Sequence, residues 1–208
     1  MLTPLFKRSS IIFLSLTILL ALLPTLYAAT AVTPIHFLPG DDAIGGAAGQ
    51  QLTPDIALGD DTLLAVWADY RSAPNDLLEW ETYGDIYGMR LDATGAPLTA
   101  VPFVITQGPG TQMNPTAVWN DDHWLVVYES YSVSGTGFYY QKSLEAVRVA
   151  ADGQVLDTTP IRIFGVIPFV SSWDVASDGT DWVVAFHGDT DSYDLKAVRI
   201  TAAGGVEL

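Results

Sequence analysis

Three stretches of the chain share one order of polar and apolar positions. They are Pro54–Trp67, Pro115–Tyr128 and Trp173–Phe186, and they begin about sixty residues apart. Each opens on a short alternating segment, continues through a polar turn, and ends in a run of apolar residues closed by an aromatic. A repeat of this length is typical of solenoids, propellers and linear arrays. The pattern therefore predicts a repeat protein.

The first repeat predicts four short strands. The alternating residues Asp55–Leu58 and the apolar run Leu63–Trp67 predict two strands joined by a tight turn. A third strand is predicted at Ile86–Leu91, followed by a glycine turn at Gly95. A fourth is predicted at Pro102–Ile105, because a leading proline is typical of a sheet edge. The repeat thus predicts one antiparallel propeller-type blade.

The later repeats contain equivalent segments. The predicted second, third and fourth strands are Trp124–Tyr128, Leu144–Val149 and Pro160–Ile163 in the second repeat, and Trp182–Phe186 and Leu195–Ile200 in the third. Arg90, Arg148 and Arg199 recur at one position of the third strand, which favours a scaffold role such as pairing with a turn aspartate of a neighbouring repeat. The predicted fold class is all-β, with about three β-propeller-like blades of four antiparallel strands.

The repeats also predict the domain organisation. We expect a signal peptide at 1–31, a lone outer strand and linker at 32–53, blade one at 54–114, blade two at 115–172, and blade three, lacking its fourth strand, at 173–208. Three blades are fewer than the roughly four to eight of a usual propeller. Three arrangements remain open: an incomplete ring that is a fragment of a longer chain, a six-bladed ring of two copies, and an open stack of sheets.

The N-terminus predicts export. Lys7 and Arg8 precede the apolar run Ile11–Leu23, and Ala29 to Ala31 fit a signal-peptidase site. The run is shorter than the roughly 20 residues of a membrane span, although an uncleaved anchor is the alternative. The predicted location is therefore secreted or cell surface, with no membrane contact beyond this segment.

Composition excludes two classes of protein. The chain carries 24 acidic and 9 basic residues and a formal net charge of −15. Such an acidic protein lacks the basic surface that nucleic acids require, so no nucleic-acid partner is expected. It has no cysteine, which excludes a disulfide-stapled fold.

The repeat resembles a known kind of sequence. The segments LLAVWADYR and DIYGMRLDATG, followed by a proline-led strand, resemble repeats in large secreted bacterial β-propeller-like proteins. The resemblance extends over about 34–208 and implies the fold rather than an activity. The later copies depart from it, because Asp85–Gly88 is replaced by Ser143–Ala146 and Asp194–Ala197.

Candidate binding residues lie in the connections between second and third strands, which differ in length between repeats. We predict a ligand site of aromatic residues: Trp80, Tyr83, Tyr131, Tyr139 and Tyr140. Aromatic rings with nearby acids on a loop face could stack on sugars and bond their hydroxyls. The alternative is that these rings cover blade edges.

Signs of metal or catalytic chemistry are sparse. Asp189, Asp191 and Asp194 could offer oxygen ligands to calcium, although an acidic turn is the alternative, and no other cofactor or metal is predicted. Gly-x-Ser-x-Gly and His-Glu-x-x-His motifs are absent, so catalytic residues are not assigned.

The predicted function is a secreted non-catalytic repeat module that binds a ligand, such as a carbohydrate or a cell-surface protein, through its loop face. Two alternatives remain: a fragment of a propeller-type glycoside hydrolase, and a structural array in a larger surface protein. Enzymatic activity is left open, and self-association could complete a ring.

Overall fold

The computed structural model describes residues 49–72, 84–133, 140–167, 172–187 and 194–207. These residues form three antiparallel sheets. Sheet 1 consists of β1 (Gln51–Leu58), β2 (Leu63–Asp69), β3 (Asp85–Leu91) and β4 (Phe103–Thr106). Sheet 2 consists of β5 (Thr111–Trp119), β6 (His123–Val133), β7 (Tyr140–Ala150) and β8 (Ile161–Ile167). Sheet 3 consists of β9 (Ser172–Ser177), β10 (Trp182–His187), β11 (Leu195–Ile200) and β12 (Val206–Glu207).

Each sheet is a meander in which strands adjacent in sequence are hydrogen-bonded neighbours. The predicted all-β class with four-stranded antiparallel blades is confirmed. Within the described ranges there is no helix with the length and apolarity that a membrane span needs.

Strand lengths differ from the prediction in sheet 2. The ladder between β6 and β7 continues to the pair Val133 and Tyr140, well beyond the apolar runs that predicted these strands. Polar residues such as Ser130 and Lys142 occupy this extension. Backbone pairing does not require apolar side chains, so hydrophobic pattern alone underestimated the strands.

The fourth strand of sheet 3 is short and lies where the other two sheets have only an isolated bridge. Val206 pairs with Ile200 on the return arm of the hairpin that turns at Gly204. Isolated bridges occupy the equivalent place in the other sheets, from Leu91 to Pro97 and from Val149 to Val155. Strand β12 therefore corresponds to these bridges rather than to β4 or β8, and the domain boundaries drawn from the repeats stay a prediction.

Apolar residues fill the spaces between successive sheets. Between sheets 1 and 2, the buried cluster includes Leu64, Val66, Ile86, Trp124 and Tyr128. Between sheets 2 and 3, the equivalent cluster includes Leu125, Val127, Leu144, Trp182 and Phe186. Successive residues of a strand point to opposite faces, so a strand covered on both faces is apolar throughout. This explains the continuous apolar runs of β2 and β6.

The recurring arginines connect neighbouring sheets. Arg90 Nη1 of sheet 1 donates to the carbonyl of Asp152 in the hairpin turn of sheet 2, at 3.1 Å. Arg148 Nη1 of sheet 2 donates to the carbonyl of Ala202 in the turn of sheet 3, at 2.7 Å. In both cases the acceptor in the neighbouring sheet is a backbone carbonyl and not, as the sequence suggested, the side chain of a turn aspartate. Arg90 and Arg148 therefore have a scaffold role.

Candidate functional site

The first strands of sheets 1 and 2 are distorted at the same place. The ladder register shifts between Leu52 and Asp55 in β1, and between Met113 and Thr116 in β5. The residues skipped are Thr53-Pro54 and Asn114-Pro115, and proline has no N–H to donate to a ladder. These x-Pro pairs therefore account for both bulges.

The backbone at both bulges is strained. Among the described residues, three non-glycine residues have a left-handed φ, and Thr53 (φ 49°) and Asn114 (φ 53°) are two of them. This conformation is unusual, and for a β-branched residue such as threonine it is an outlier. Bulges and strained residues concentrate beside functional sites, where they redirect side chains. The two bulges thus mark this region as the candidate site.

The bulges and the start of β9 surround one open cavity of about 400 Å³. Its lining residues are Thr53, Pro54, Asp55, Asn114, Pro115, Thr116, Glu129, Ser172 and Trp173. The volume is in the range of about 300–1,000 Å³ that small-molecule sites occupy. All three sheets contribute, which places the cavity where their first strands meet.

Glu129 is the buried carboxylate of this cavity. Its Oε1 accepts from Lys142 Nζ at 2.8 Å, and its Oε2 accepts from Asn114 Nδ2 and from the Tyr131 hydroxyl, each at 3.1 Å. Only 5% of Glu129 is exposed. Charge-assisted bonds of this kind fix the carboxylate in place. One of its hydrogen-bond donors is Asn114, so the strained bulge and the carboxylate are directly connected.

Tyr131 belongs to the same network. Burial raises the pKa of the Tyr131 phenol; the hydrogen bond to Lys142 lowers it and the charge of Glu129 raises it, and the net pKa lies above the ordinary value. The hydroxyl therefore stays protonated and donates to Glu129. Tyr131, predicted as a ligand-binding residue, lies next to a cavity residue although it does not itself line the cavity.

Asp55 is the second carboxylate of the cavity, and it is partly exposed. Its Oδ2 accepts from the backbone N–H of Ala117 in β5, at 2.9 Å, which ties sheet 1 to sheet 2. Its other oxygen has no hydrogen bond to a described residue. Asp55 is thus positioned by the scaffold while keeping acceptor capacity for a ligand.

Trp173 and Ser172 complete the cavity from the third sheet. Trp173 is half-buried, and its ring packs at the margin of the cluster between sheets 2 and 3. An indole offers an apolar face together with an N–H donor. The cavity therefore combines two carboxylates, hydroxyl and amide groups, and an aromatic surface, which suits a polyhydroxylated ligand.

A second carboxylate pair lies on sheet 1, where Asp69 is directly opposite Asp85. Burial alone would raise the pKa of Asp69, but hydrogen bonds from Arg71 and from the Trp67 indole N–H bring it below the ordinary value. Burial raises the pKa of Asp85. Arg71 also lies 4.1 Å over the Tyr87 ring. These groups satisfy one another and do not line the cavity, so we interpret them as structural.

The other predicted binding residues were not tested. Trp80, Tyr83 and Tyr139 lie outside the described residues, and Tyr140 is described only as a backbone partner of Val133 in β7. The aromatic site proposed from the sequence therefore stays a prediction.

The sequence reasoning missed most residues of the cavity, namely Asp55, Asn114, Ser172 and Trp173, whereas Glu129 is one of the acids near the predicted aromatic residues. An available signal was the x-Pro pair at the start of the repeat, immediately before the predicted first strand, found twice at one repeat position. A proline there predicts a bulge, and a bulge repeated on neighbouring blades would have pointed to this edge of the sheets.

The calcium prediction is equally open. Asp189 and Asp191 lie outside the described residues, while Asp194 is exposed immediately before β11. Across the part of the chain that the structure describes, no three acidic or histidine residues are grouped as metal ligands would be. Calcium binding at these aspartates remains a prediction.

Fold and cavity together define an all-β, β-propeller-like protein with a site at its first strands. No protein-family model matches the chain, and no curated protein matches it. Its fold is similar to that of an α-L-arabinofuranosidase from Lactobacillus brevis, at 17% identity and a TM-score of 0.44, over 76% of this chain and 55% of the other.

Two further solved structures are similar in fold. One is a family 117 glycoside hydrolase from Zobellia galactanivorans, with 8% identity and a TM-score of 0.47, covering 84% of this chain and 48% of the other. The second is a family 43 endo-arabinanase from Bacillus licheniformis, with 15% identity and a TM-score of 0.42, covering 78% and 59%. The chain spans about half the length of these structures.

These likenesses correct one prediction. The sequence favoured a non-catalytic binding module, whereas the similar solved structures are glycoside hydrolases. The non-catalytic interpretation was wrong, because it rested on the absence of linear motifs. Carboxylates that converge from separate sheets, as Asp55 and Glu129 do, leave no such motif.

Proposed function

We propose that the chain is part of a propeller-type glycoside hydrolase whose carbohydrate site is the cavity between Asp55, Glu129 and Trp173. The observation that carries the proposal is the convergence of two strained bulges and two carboxylates on one open cavity. Strain at two equivalent positions has to be offset by other interactions, and its location beside the carboxylates supports a functional reason for keeping it.

The chemistry of these groups fits glycoside hydrolysis. Enzymes of this class generally use two carboxyl groups, one to protonate the leaving oxygen and one to act at the anomeric carbon or on water. We assign Asp55 and Glu129 as this pair. Trp173 would lie against the apolar face of a sugar ring, while Asn114, Thr116 and Ser172 offer bonds to its hydroxyls.

The cellular setting belongs to the same proposal. We propose that the protein is secreted or held at the cell surface after removal of residues 1–31, and that it belongs among the secreted bacterial repeat proteins whose sequences it resembles. Carbohydrate is then the proposed partner. This part is supported by the sequence pattern alone.

The test is an activity and binding assay on the purified chain. Arabinan and an α-L-arabinofuranoside are the first substrates to assay, because the similar solved structures are named for them. Asp55→Asn keeps an oxygen that can accept from the Ala117 N–H but removes the carboxylate. We expect it to lower turnover by about 10²–10⁴-fold, the usual contribution of a general acid or base, with an unchanged unfolding midpoint.

The matched control is Asp174→Asn. Asp174 occupies the equivalent position of β9, is exposed, and does not line the cavity. Its replacement should leave turnover unchanged. Sugar release that is equally insensitive to Asp55→Asn and Glu129→Gln would place catalysis elsewhere. Folded wild-type protein that neither cleaves nor binds any glycan tested would contradict the proposal.

A further inference from the structure

One face of sheet 3 is open to solvent although its pattern is that of a buried face. We call it the open face and define it by Val183, Ala185, Leu195, Ala197 and Arg199. Val183 is 48% exposed and Leu195 is 76% exposed, and both project from the middle strands of the sheet. Apolar side chains that are grouped on one exposed face typically mark an interaction surface.

The equivalent faces of the other sheets are completely covered. Leu64 and Leu125 correspond to Val183, and each is 0% exposed. Ile86 and Leu144 correspond to Leu195, and each is again 0% exposed. In both cases the cover is the next sheet, which presents an aromatic from its second strand. One mode of contact therefore occurs twice in the molecule, with sheet 2 on sheet 1 and sheet 3 on sheet 2.

The arginine completes the comparison. The turn glycines lie close to the arginines, since a Cβ placed on Gly153 would be 3.0 Å from Arg90 Cδ and one on Gly204 would be 3.1 Å from Arg148 Cζ. Arg199 is the third member of this series. Among described residues its guanidinium hydrogen-bonds to Asp181 of its own sheet, at 2.8 Å from Nε, and half of the side chain is exposed.

We propose that the open face binds a further four-stranded antiparallel sheet of this same design. The partner sheet would place aromatic side chains over Val183 and over Leu195, as sheet 3 places Trp182 and Phe186 on sheet 2. It would also present a glycine turn whose carbonyl accepts from Arg199. The proposal continues an interface that the structure contains twice, and it uses no cavity residue, so it is independent of the proposed hydrolase activity.

A second copy of the chain is the other occupant to consider. It would have to offer the face of sheet 1 that matches the covering faces, which includes Ala65, Trp67, Met89 and Leu91. These side chains are already buried, with Met89 at 0% and Trp67 at 6% exposure. A copy could use that face only by uncovering it, which favours a separate sheet. The contact is between unlike faces, so it is heterologous rather than self-complementary.

The experiment extends the natural chain in its own repeat phase. Residues 158–207 are repeated after Leu208, which supplies a copy of β8 followed by a copy of sheet 3 as the partner sheet. Urea unfolding is measured for the natural and the extended chain, each with and without Val183→Asp. The control is Val104→Asp, which changes an apolar residue of the outer strand β4 that is 36% exposed.

We expect Val183→Asp to leave the natural chain nearly unchanged, because the position is exposed there. In the extended chain it would bury a charge, and it should shift the folding equilibrium by at least about tenfold. Val104→Asp should act equally on both chains. Equal effects of Val183→Asp on both chains would overturn the proposal. A natural chain that sediments as a dimer, and as a monomer after Val183→Asp, would also overturn it, because the occupant would then be a second copy.

Discussion

The contact between an arginine and the glycine turn of the next sheet gives a quantitative test of how the sheets are joined. The perturbation is Gly204→Ala, which adds one methyl group beneath the Arg148 guanidinium. The chain supplies a matched control in Gly95, which turns at nearly the same φ, 84° against 86°. A Cβ on Gly95 would have no described atom within 4 Å. The pair therefore separates backbone strain from the contact between sheets.

The magnitude has two parts. An alanine at a left-handed φ costs about 1–2 kcal/mol, and this applies to both variants. In Gly204→Ala the new methyl also lies 3.1 Å from Arg148 Cζ, closer than an ordinary contact. The guanidinium cannot move freely, because Asp157 holds it at 2.6 Å and the Ala202 carbonyl at 2.7 Å. Losing the bond to that carbonyl adds about 1.5–3 kcal/mol.

The assay is equilibrium urea unfolding at pH 7. Gly204→Ala should cost about 2 kcal/mol more than Gly95→Ala, because only the former disturbs a bond to a charged group. In an Arg148→Lys background the difference should shrink, since the planar guanidinium is gone and the two sites are directly coupled. Equal costs for the two glycine variants, within about 0.5 kcal/mol, would refute the idea that this contact stabilises the sheet interface.

Three further predictions concern buried polar groups. Asp69→Asn should lower stability at pH 7 by about 3–5 kcal/mol, because it removes the buried carboxylate that accepts from Arg71 and from the Trp67 indole; the pKa of Asp69 is depressed, so this loss should diminish as the pH falls through that pKa in acid unfolding series. Asp85→Asn should do the opposite, because burial raises the pKa of Asp85 and ionisation of the wild-type carboxyl therefore costs stability; the variant should gain relative to wild type as the pH rises from the ordinary aspartate pKa of 3.8 through the raised one in the same series, and a fixed difference would contradict this. Trp182→Phe should cost about 1 kcal/mol in urea unfolding beyond the loss of packing, because the indole N–H donates to the Val118 carbonyl at 2.9 Å. A variant as stable as the wild type would contradict a stabilising role for that bond.

Much of the fold was predictable from the sequence for a physical reason. A strand covered on both faces must be apolar at every position, and a tight turn at positive φ needs glycine. The apolar runs at Leu63 and Trp124 and the turn glycines Gly95, Gly153 and Gly204 follow directly from these requirements. The polar continuation of β6 and β7 was not predictable in this way, because its pairing depends on the backbone.

The candidate site could not be predicted in the same manner. Glu129 lies where β6 continues past its apolar run, and nothing in its neighbours indicates that Asn114 and Lys142 will both reach it. Asp55 reaches the cavity because β1 contacts β5, a relation between repeats that no local pattern contains. Sequence periodicity describes what each repeat shares, whereas the cavity forms from what three repeats place at one point.

Comparison of equivalent positions in the three repeats separates the residues of the scaffold from the residues of the candidate site. The arginine of the third strand and the glycine of its turn are the same in every copy, and in sheets 1 and 2 that arginine holds the turn of the next sheet. The position of Glu129, in contrast, is Ala68 in the first copy and His187 in the third. A scaffold contact is needed at every interface and therefore recurs. A carboxylate that acts on one ligand is needed once, so a position that varies between otherwise similar blades is where a site such as this cavity can form.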